Sequence, residues 1–476
     1  MALALYLAVV GIATLYGLLD WRGSWVLVSV CGVVQDPVRK LTPGAPVYIS
    51  FLVVIFYGVL VLSARRELIA DISDFSRRFG NIYTSMAVVF FTLCVAAMNG
   101  IFSYGLALWK VPLLSMITYV VPVVAAGFGY CWLRREEALY SFFRVYSVIT
   151  AIGLVGTTLE YLRVHWRILG LVSYEGDYIR HLPGIQIRLL SGVYRSPDVM
   201  AWHASMLTSI AVAMALRSGF GRQMMVWSGV AAWGFFNCMI GGRRKAIYFV
   251  VVFAGVFLFR YIKRVRTAQV FALLAVLLVL GFVVRQLARG EDTSVYAKGA
   301  LTTQKELASR LEGGLVETFQ QFGFMGAGLG AATQGVYHLL ENENIGWQEG
   351  GLGKLAVEVG LPGMLAMLVM GWYVVRLWLR LTALGDVPGS SQFLRAMLLG
   401  LVAANITGFI VSAQAYTDAV LALMTGFLVG CLFATATLDE RLQEKTAVSR
   451  RIPGSLTQGP AVARVAPTPG ALPSAP

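Results

Sequence analysis

Four carboxylates lie close together in an otherwise apolar chain. They are Glu341, Glu343, Glu349 and Glu358, the last three within NENIGWQEGGLGKLAVEVG, residues 342–360. A carboxylate placed beside a hydroxyl can take its proton as a general base. Glu341 and Glu343 read as solvated loop charges. Glu358 follows Lys354 by four residues, the spacing of an ion pair along one helix face. It also lies nine residues beyond Glu349, on the opposite side of a helix, and is expected to be structural, pinning the start of that helix. Glu349 stands at the mouth of the same helix, where it either complements the helix dipole or performs acid–base chemistry.

The cations suggest a second chemistry. GGRRK, residues 241–245, puts Arg243, Arg244 and Lys245 in a very tight turn between two apolar blocks. In GVYRSPDVMAWHAS, residues 192–205, Ser196 is a good N-cap, Pro197 suits the first helical position and Asp198 complements the dipole. Arg195 immediately precedes that start, so backbone N–H groups and a guanidinium together make an anion site. A lipid pyrophosphate is the anion that membrane chemistry offers, and arginine binds it bidentately. The alternative is that Arg243 and Arg244 snorkel to headgroups or pair with acids of the long loop, and that Arg195 marks an ordinary cap. Arg163, Arg167 and Arg180 fit the headgroup reading, with Arg188 as a secondary candidate. His203, seven residues into its helix, reads as a packed membrane histidine and is a secondary candidate, as is His338. GAGLG, residues 326–330, lacks the preceding strand and the Lys-Ser/Thr of a nucleotide loop. It reads as a flexible turn that returns a loop to the membrane.

These residues need a frame, and composition supplies it. The chain of 476 residues is 57% hydrophobic and 13% charged. Its apolar residues fall in blocks of about 17–25, the length that spans a bilayer as helix. The fold class is an all-α polytopic membrane protein. Spans are expected at 3–19, 24–34, 46–63, 81–99, 112–132, 138–160, 198–216, 223–240, 245–259, 268–285, 353–379, 393–411 and 415–436, about 12–13 in all. The short block 24–34 is either a span or a re-entrant piece, and residues 3–19 look like a retained first helix. The net charge of +14 does not point to nucleic acid, because most basic residues sit in short clusters between apolar blocks. Arg65-Arg66, Arg77-Arg78, Arg134-Arg135, Arg217, Arg222, Arg260, Arg376 and Arg441 all fall on one side, which the positive-inside rule makes cytoplasmic. Two long loops, about 161–197 and 286–352, then lie on the outer face, where GGRRK breaks the charge rule. The later loop is expected to hold a helix near 302–322. Residues 1–438 form the transmembrane domain. The tail 439–476, rich in Pro, Ala and Gly, is expected to be disordered and cytoplasmic. The five cysteines lack CxxC spacing and histidine partners and read as packing residues, not disulfides or metal ligands.

Four stretches in order, GVYRSPDVMA, GGRRKAIYF, SRLEGGLVETFQQFGFMGAGLGAATQGV and EGGLGKLAVEVGLPGML, resemble the O-antigen ligase and O-antigen polymerase superfamily of bacterial membrane glycosyltransferases. The resemblance covers roughly residues 185–370. It implies a GT-C-like helical fold with a large outer loop, and transfer of glycans from an undecaprenyl-pyrophosphate carrier with no metal, cofactor or nucleotide sugar. Gly192 with Pro197-Asp198 matches the family's Gly and Pro-Asn, with Asp for Asn. Arg244 matches the arginine of a Ser-Arg pair, with Arg243 in the serine place. Arg310 matches the arginine that opens the amphipathic segment before GxGLG. Glu358, Gly360 and Gly363 match the closing Glu-Leu-Gly and Gly. Glu349 stands where the family has a histidine that positions or deprotonates the acceptor, and His338 is the candidate to replace that histidine from the loop. A glutamate is a weaker base unless burial raises it.

The resemblance therefore implies a polymerase or ligase of a surface polysaccharide (exopolysaccharide, O-antigen or capsule-like) in the bacterial inner membrane, active on the periplasmic face, with the C-terminus cytoplasmic. Its partners would be the lipid-linked oligosaccharide, the bilayer, and a flippase and chain-length regulator of the same pathway. Arg195, Arg243, Arg244 and Arg310 would bind the pyrophosphate and Glu349 would act on the acceptor. Two rivals stand beside it: a transporter or flippase of lipid-linked sugars, and a non-catalytic assembly partner. A transporter needs charged or broken helices at mid-membrane, whereas these spans read as nearly free of acids.

Overall fold

The computed structural model describes residues 2–46, 48–171, 179–182, 185–261, 315–333, 348, 350–383 and 391–451. The chain runs α1 (Ala2–Leu19), α2 (Trp21–Leu41), α3 (Ile49–Ser63), α4 (Arg65–Arg78), α5 (Gly80–Tyr104), α6 (Lys110–Trp132), α7 (Glu136–Tyr161), β1 (Ile179–Leu182), β2 (Ile185–Arg188), α8 (Pro197–Ser218), α9 (Arg222–Ile240) and α10 (Arg244–Tyr261). It continues with α11 (Gly351–Ala383), α12 (Gln392–Val411) and α13 (Ala419–Arg451). Among the described residues, eight helices are long and apolar enough to cross a membrane: α1, α5, α6, α7, α8, α11, α12 and α13. The count rises to nine if α3 and α4, bent by 77° at their junction, form one span. This is a multi-pass α-helical membrane protein, and helices satisfy their backbone hydrogen bonds internally where lipid offers no partner. Large apolar side chains such as Leu5, Ile12, Phe91, Phe102 and Ile152 stand exposed on the outside, as a bilayer permits.

Two packing devices hold the bundle. Trp25 stacks on Phe427 with ring centroids 4.3 Å apart and lies 5.2 Å from Phe128, tying α2, α6 and α13 together. Glycines let α13 cross α6 closely: a Cβ on Gly430 would lie 1.9 Å from the Ala126 carbonyl oxygen, and one on Gly426 2.1 Å from that of Pro122. Small residues spaced by four are the usual means of close helix approach in membranes. Helix α8 sits at the centre, its whole apolar window buried, which suits a helix apolar on every side.

Several expectations change. The block 24–34 is part of a full helix, α2, whose start is capped by Asp20 through the N–H groups of Arg22 and Gly23. Gln35, Asp36 and Lys40 interrupt its apolar run, which is why hydropathy cut it short. The expected connection at 65–80 is an amphipathic helix, α4, held by Arg22–Glu67, by Arg134–Asp71 at 2.5 Å and by Arg78–Glu440. The first long loop contains an antiparallel hairpin, with Ile179 opposite Arg188. Helix α11 is broken at Gly360, whose φ is +61°. Helix α13 continues to Arg451, beyond the residue 439 at which disorder is expected. Residues 315–322 are helical within the expected segment 302–322. The span 268–285 lies outside the described residues.

Candidate functional site

Five helix ends meet at one end of the bundle: the close of α2 and α7 and the starts of α8, α10 and α13. Ser196 caps α8 through the Val199 N–H, and Pro197 opens the helix, as the sequence predicts. Arg195, just before the cap, makes an ion pair of 3.1 Å with Asp418. Its own N–H donates to Asp36 Oδ2 at 2.9 Å. Asp418 is itself the cap of α13, accepting from the N–H groups of Val420 and Leu421. Arg195 is thus fixed between two carboxylates that are each 2% exposed. Oδ1 of Asp36 has no hydrogen-bond partner among the described residues.

The GGRRK turn is as tight as its sequence suggests, with α9 ending at Ile240 and α10 opening at Arg244. Arg243 pairs with Asp198 Oδ2 at 2.9 Å, and Lys245 with Asp198 Oδ1 at 2.5 Å. Lys245 also donates to Ser412 Oγ at 3.1 Å, reaching the end of α12. Arg244 is buried at the first turn of α10. Asp198 therefore serves both as the dipole partner of α8 and as the anchor of two cations from the turn. Arg243 pairs with an acid, but one in the first turn of α8 and not in the long loop.

Gly192 adds a third link. Its φ is +56°, and a Cβ there would lie 2.5 Å from the Thr157 backbone N, so only glycine fits. The N–H groups of Ser191 and Gly192 donate to Glu160 Oε2, and Lys40 Nζ donates to the Gly192 carbonyl at 2.7 Å. Arg188 lies close enough to act on Glu160 electrostatically. Among the described residues the cluster gathers the cations Arg39, Lys40, Arg188, Arg195, Arg243, Arg244 and Lys245 around the carboxylates Asp36, Glu160, Asp198 and Asp418. His203 is 2% exposed, with Nδ1 2.9 Å from the Tyr146 hydroxyl and its ring stacked on Tyr194. It packs the core.

A second polar group lies at the same end, around the start of α11. Lys354 and Glu358 pair at 3.8 Å, the spacing the sequence predicts, and are 4% and 0% exposed. Glu358 accepts from the Tyr119 hydroxyl and from Thr333 Oγ1, each at 2.6 Å. Lys354 Nζ reaches Thr333 Oγ1 at 3.3 Å. The GAGLG stretch is wedged in beside them and is no loose turn. Ala327 N–H donates to the Val357 carbonyl, Leu329 N–H to that of Ala96, and Asn99 Nδ2 to that of Gly326. Gly326, Gly328 and Gly330 all have positive φ, and a Cβ on Gly328 would lie 2.3 Å from the Gly100 backbone N.

Glu349, Arg310 and His338 lie outside the described residues; Gln348, next to Glu349, lies against the first turn of α11. Sequence reasoning missed Asp36, Lys40, Glu160 and Asp418. Asp418 carried a usable signal, an aspartate directly before an apolar run. Asp36 and Lys40 carried another, opposite charges four apart. No family model and no curated protein matches the chain.

Proposed function

We propose that the protein is an inverting glycosyltransferase of bacterial surface-polysaccharide assembly, a polymerase or ligase, GT-C-like and acting at the periplasmic face of the inner membrane. The observation that carries this reading is the cluster of cations and carboxylates gathered, among the described residues, where five helix ends meet at one end of the bundle. An acceptor sugar hydroxyl attacks the anomeric carbon of a glycan carried on undecaprenyl pyrophosphate. The new C–O bond forms as the bond to the pyrophosphate oxygen breaks, and the lipid pyrophosphate leaves with the bonding pair. Arg195, Arg243 and Arg244, with Arg310 as the resemblance implies, act on that growing negative charge, and Asp418 and Asp198 hold Arg195 and Arg243 in place before substrate arrives. Fixed charge that needs no reorganisation is the most effective kind of transition-state stabilisation. Glu349 takes the acceptor proton. The resemblance of residues 185–370 supports the substrate class.

A second reading, a transporter of lipid-linked sugars, draws on the break of α11 at Gly360 beside the buried Lys354–Glu358 pair. Broken helices with ionisable residues are features of transporters. Purified protein in detergent separates the two, because detergent leaves no compartments to cross. Glycosyl transfer predicts longer glycans and released undecaprenyl pyrophosphate there, lost in Glu349→Gln. Translocation in proteoliposomes with no transfer in detergent would replace the first reading by the second.

A further inference from the structure

At the opposite end of the bundle, a recess of about 260 Å³ opens between the α4–α5 junction and the last part of α11. Arg78, Phe79, Asn81, Tyr373, Arg376 and Leu377 are among the residues that line it. A single water needs about 15 Å³ on this measure, so the space suits a multi-atom group. The charges around it are unequal. Arg78 donates through Nε to Asp74 at 2.6 Å and through Nη1 to Glu440, and Asp74 also holds Arg77. Arg376 has no ion-pair partner among the described residues, so one guanidinium of the lining is left without a counter-charge.

The flanks of the recess are apolar and outward-facing. Trp372 and Leu379, four before and three after Arg376 and so on its face of the helix, are 62% and 51% exposed. Val375 beside it and Tyr83 on α5 are 47% and 46% exposed. Outward apolar surfaces of this kind suit contact with lipid, and tryptophan and tyrosine are the residues that mark the membrane–water boundary. An arginine that only snorkelled to the boundary would need no recess beside it. The structure thus offers a cationic and hydroxyl-bearing recess at the headgroup level with an apolar wall running from it.

We infer that this recess binds the phosphate headgroup of an anionic phospholipid, with Arg376 pairing the phosphate, Tyr373 and Asn81 hydrogen-bonding it, and the acyl chains lying along the exposed Trp372, Val369 and Leu368 toward the middle of α11. The site is independent of the proposed transfer chemistry. Basic pockets between membrane helices hold acidic lipid headgroups by this same charge and shape complementarity.

The test is native mass spectrometry of the full chain released from nanodiscs containing phosphatidylglycerol and phosphatidylcholine. Wild type is expected to retain one phosphatidylglycerol in preference to phosphatidylcholine. Arg376→Gln lowers that preference about tenfold, as expected for loss of one charge-assisted contact. Arg65→Gln, on the same side of the membrane domain, leaves the preference unchanged. Thermal unfolding of Arg376→Gln in pure phosphatidylcholine shows that the variant folds. Equal retention by wild type and Arg376→Gln would overturn the site, as would an equal loss in Arg65→Gln. Inorganic phosphate stabilising wild type in phosphatidylcholine as strongly as phosphatidylglycerol does would overturn the lipid assignment in favour of a soluble phosphate.

Discussion

At the scale of single residues, the polar groups of this protein are held by partners far away in sequence, and that is what the sequence conceals. Lys354 and Glu358 show the contrast. Their spacing makes the pair legible, and the pair forms. That Tyr119 on α6 and Thr333 beside the GAGLG segment close the group, and that no part of Glu358 is exposed, is a matter of tertiary contact. A buried ion pair is costly to break from one side, because the remaining charge loses its partner. Lys354→Met is therefore expected to destabilise the protein by about 3 kcal/mol, and adding Glu358→Gln to restore most of the loss. Denaturant unfolding in detergent measures both, and equal destabilisation in the single and double variants would mean that the charges are not coupled. Among the arginines, sequence singled out Arg195 by its place before a helix start and Arg243 and Arg244 by the tight turn that breaks the charge rule. It could not show Asp418 as the partner of Arg195, because 223 residues of chain separate them.

At the scale of elements, hydrophobic periodicity located most helices and failed where a helix carries polar residues for a reason. Helix α2 looked short because Gln35, Asp36 and Lys40 serve the charged cluster at its end. Helix α4 looked like a connection because half of its residues are charged, although Leu68, Ile72 and Phe75 recur at helical spacing. The glycines were legible as glycines but not as contacts. Gly430→Ala is expected to force α6 and α13 apart and to lower the unfolding temperature by several degrees, roughly the effect of 1–3 kcal/mol of overpacking. Gly58→Ala on α3, where a Cβ meets nothing within 4 Å, is the matched control and is expected to be neutral or mildly stabilising. Equal shifts in the two variants would rule out a special crossing at Gly430. The clamp on α4 makes a pH prediction. Partial burial pushes the Asp74 carboxyl up, but Arg77, Arg78 and Tyr130 outweigh it and leave it below its ordinary value. Glu67 is likewise lowered, burial being outweighed by Arg22, Trp21 and Arg134. Depressed carboxyl values in the folded state stabilise it above the unfolded value of about 4, and that contribution disappears as pH falls through the folded values. Amide exchange in α4, corrected for the intrinsic rate, should rise below about pH 4 while α6 stays protected. Unchanged protection of α4 there would show that the ion pairs do not hold it.

At the scale of the whole molecule, two polar ends bracket an apolar bundle, and they differ in kind. One end is a set of clamps on α4, with Arg22, Arg78 and Arg134 paired to Glu67, Asp71, Asp74 and Glu440. The other gathers five helix ends, where Asp418 and Asp198 hold Arg195, Arg243 and Lys245. Composition alone made the membrane class plain, and the order of motifs suggested the chemistry. The meeting of α2, α7, α8, α10 and α13 at one cluster was beyond reach of either. The proposed function depends on that cluster acting on a pyrophosphate leaving group. The measurement that bears on it most directly is the rate of glycan transfer from undecaprenyl-pyrophosphate-linked oligosaccharide by purified protein, wild type beside Arg244→Ala. Loss of one such electrostatic contact is worth about 2.7–4 kcal/mol of barrier, so the account predicts a fall of about 100- to 1,000-fold in rate with the fold intact. A rate in Arg244→Ala close to that of wild type would contradict it.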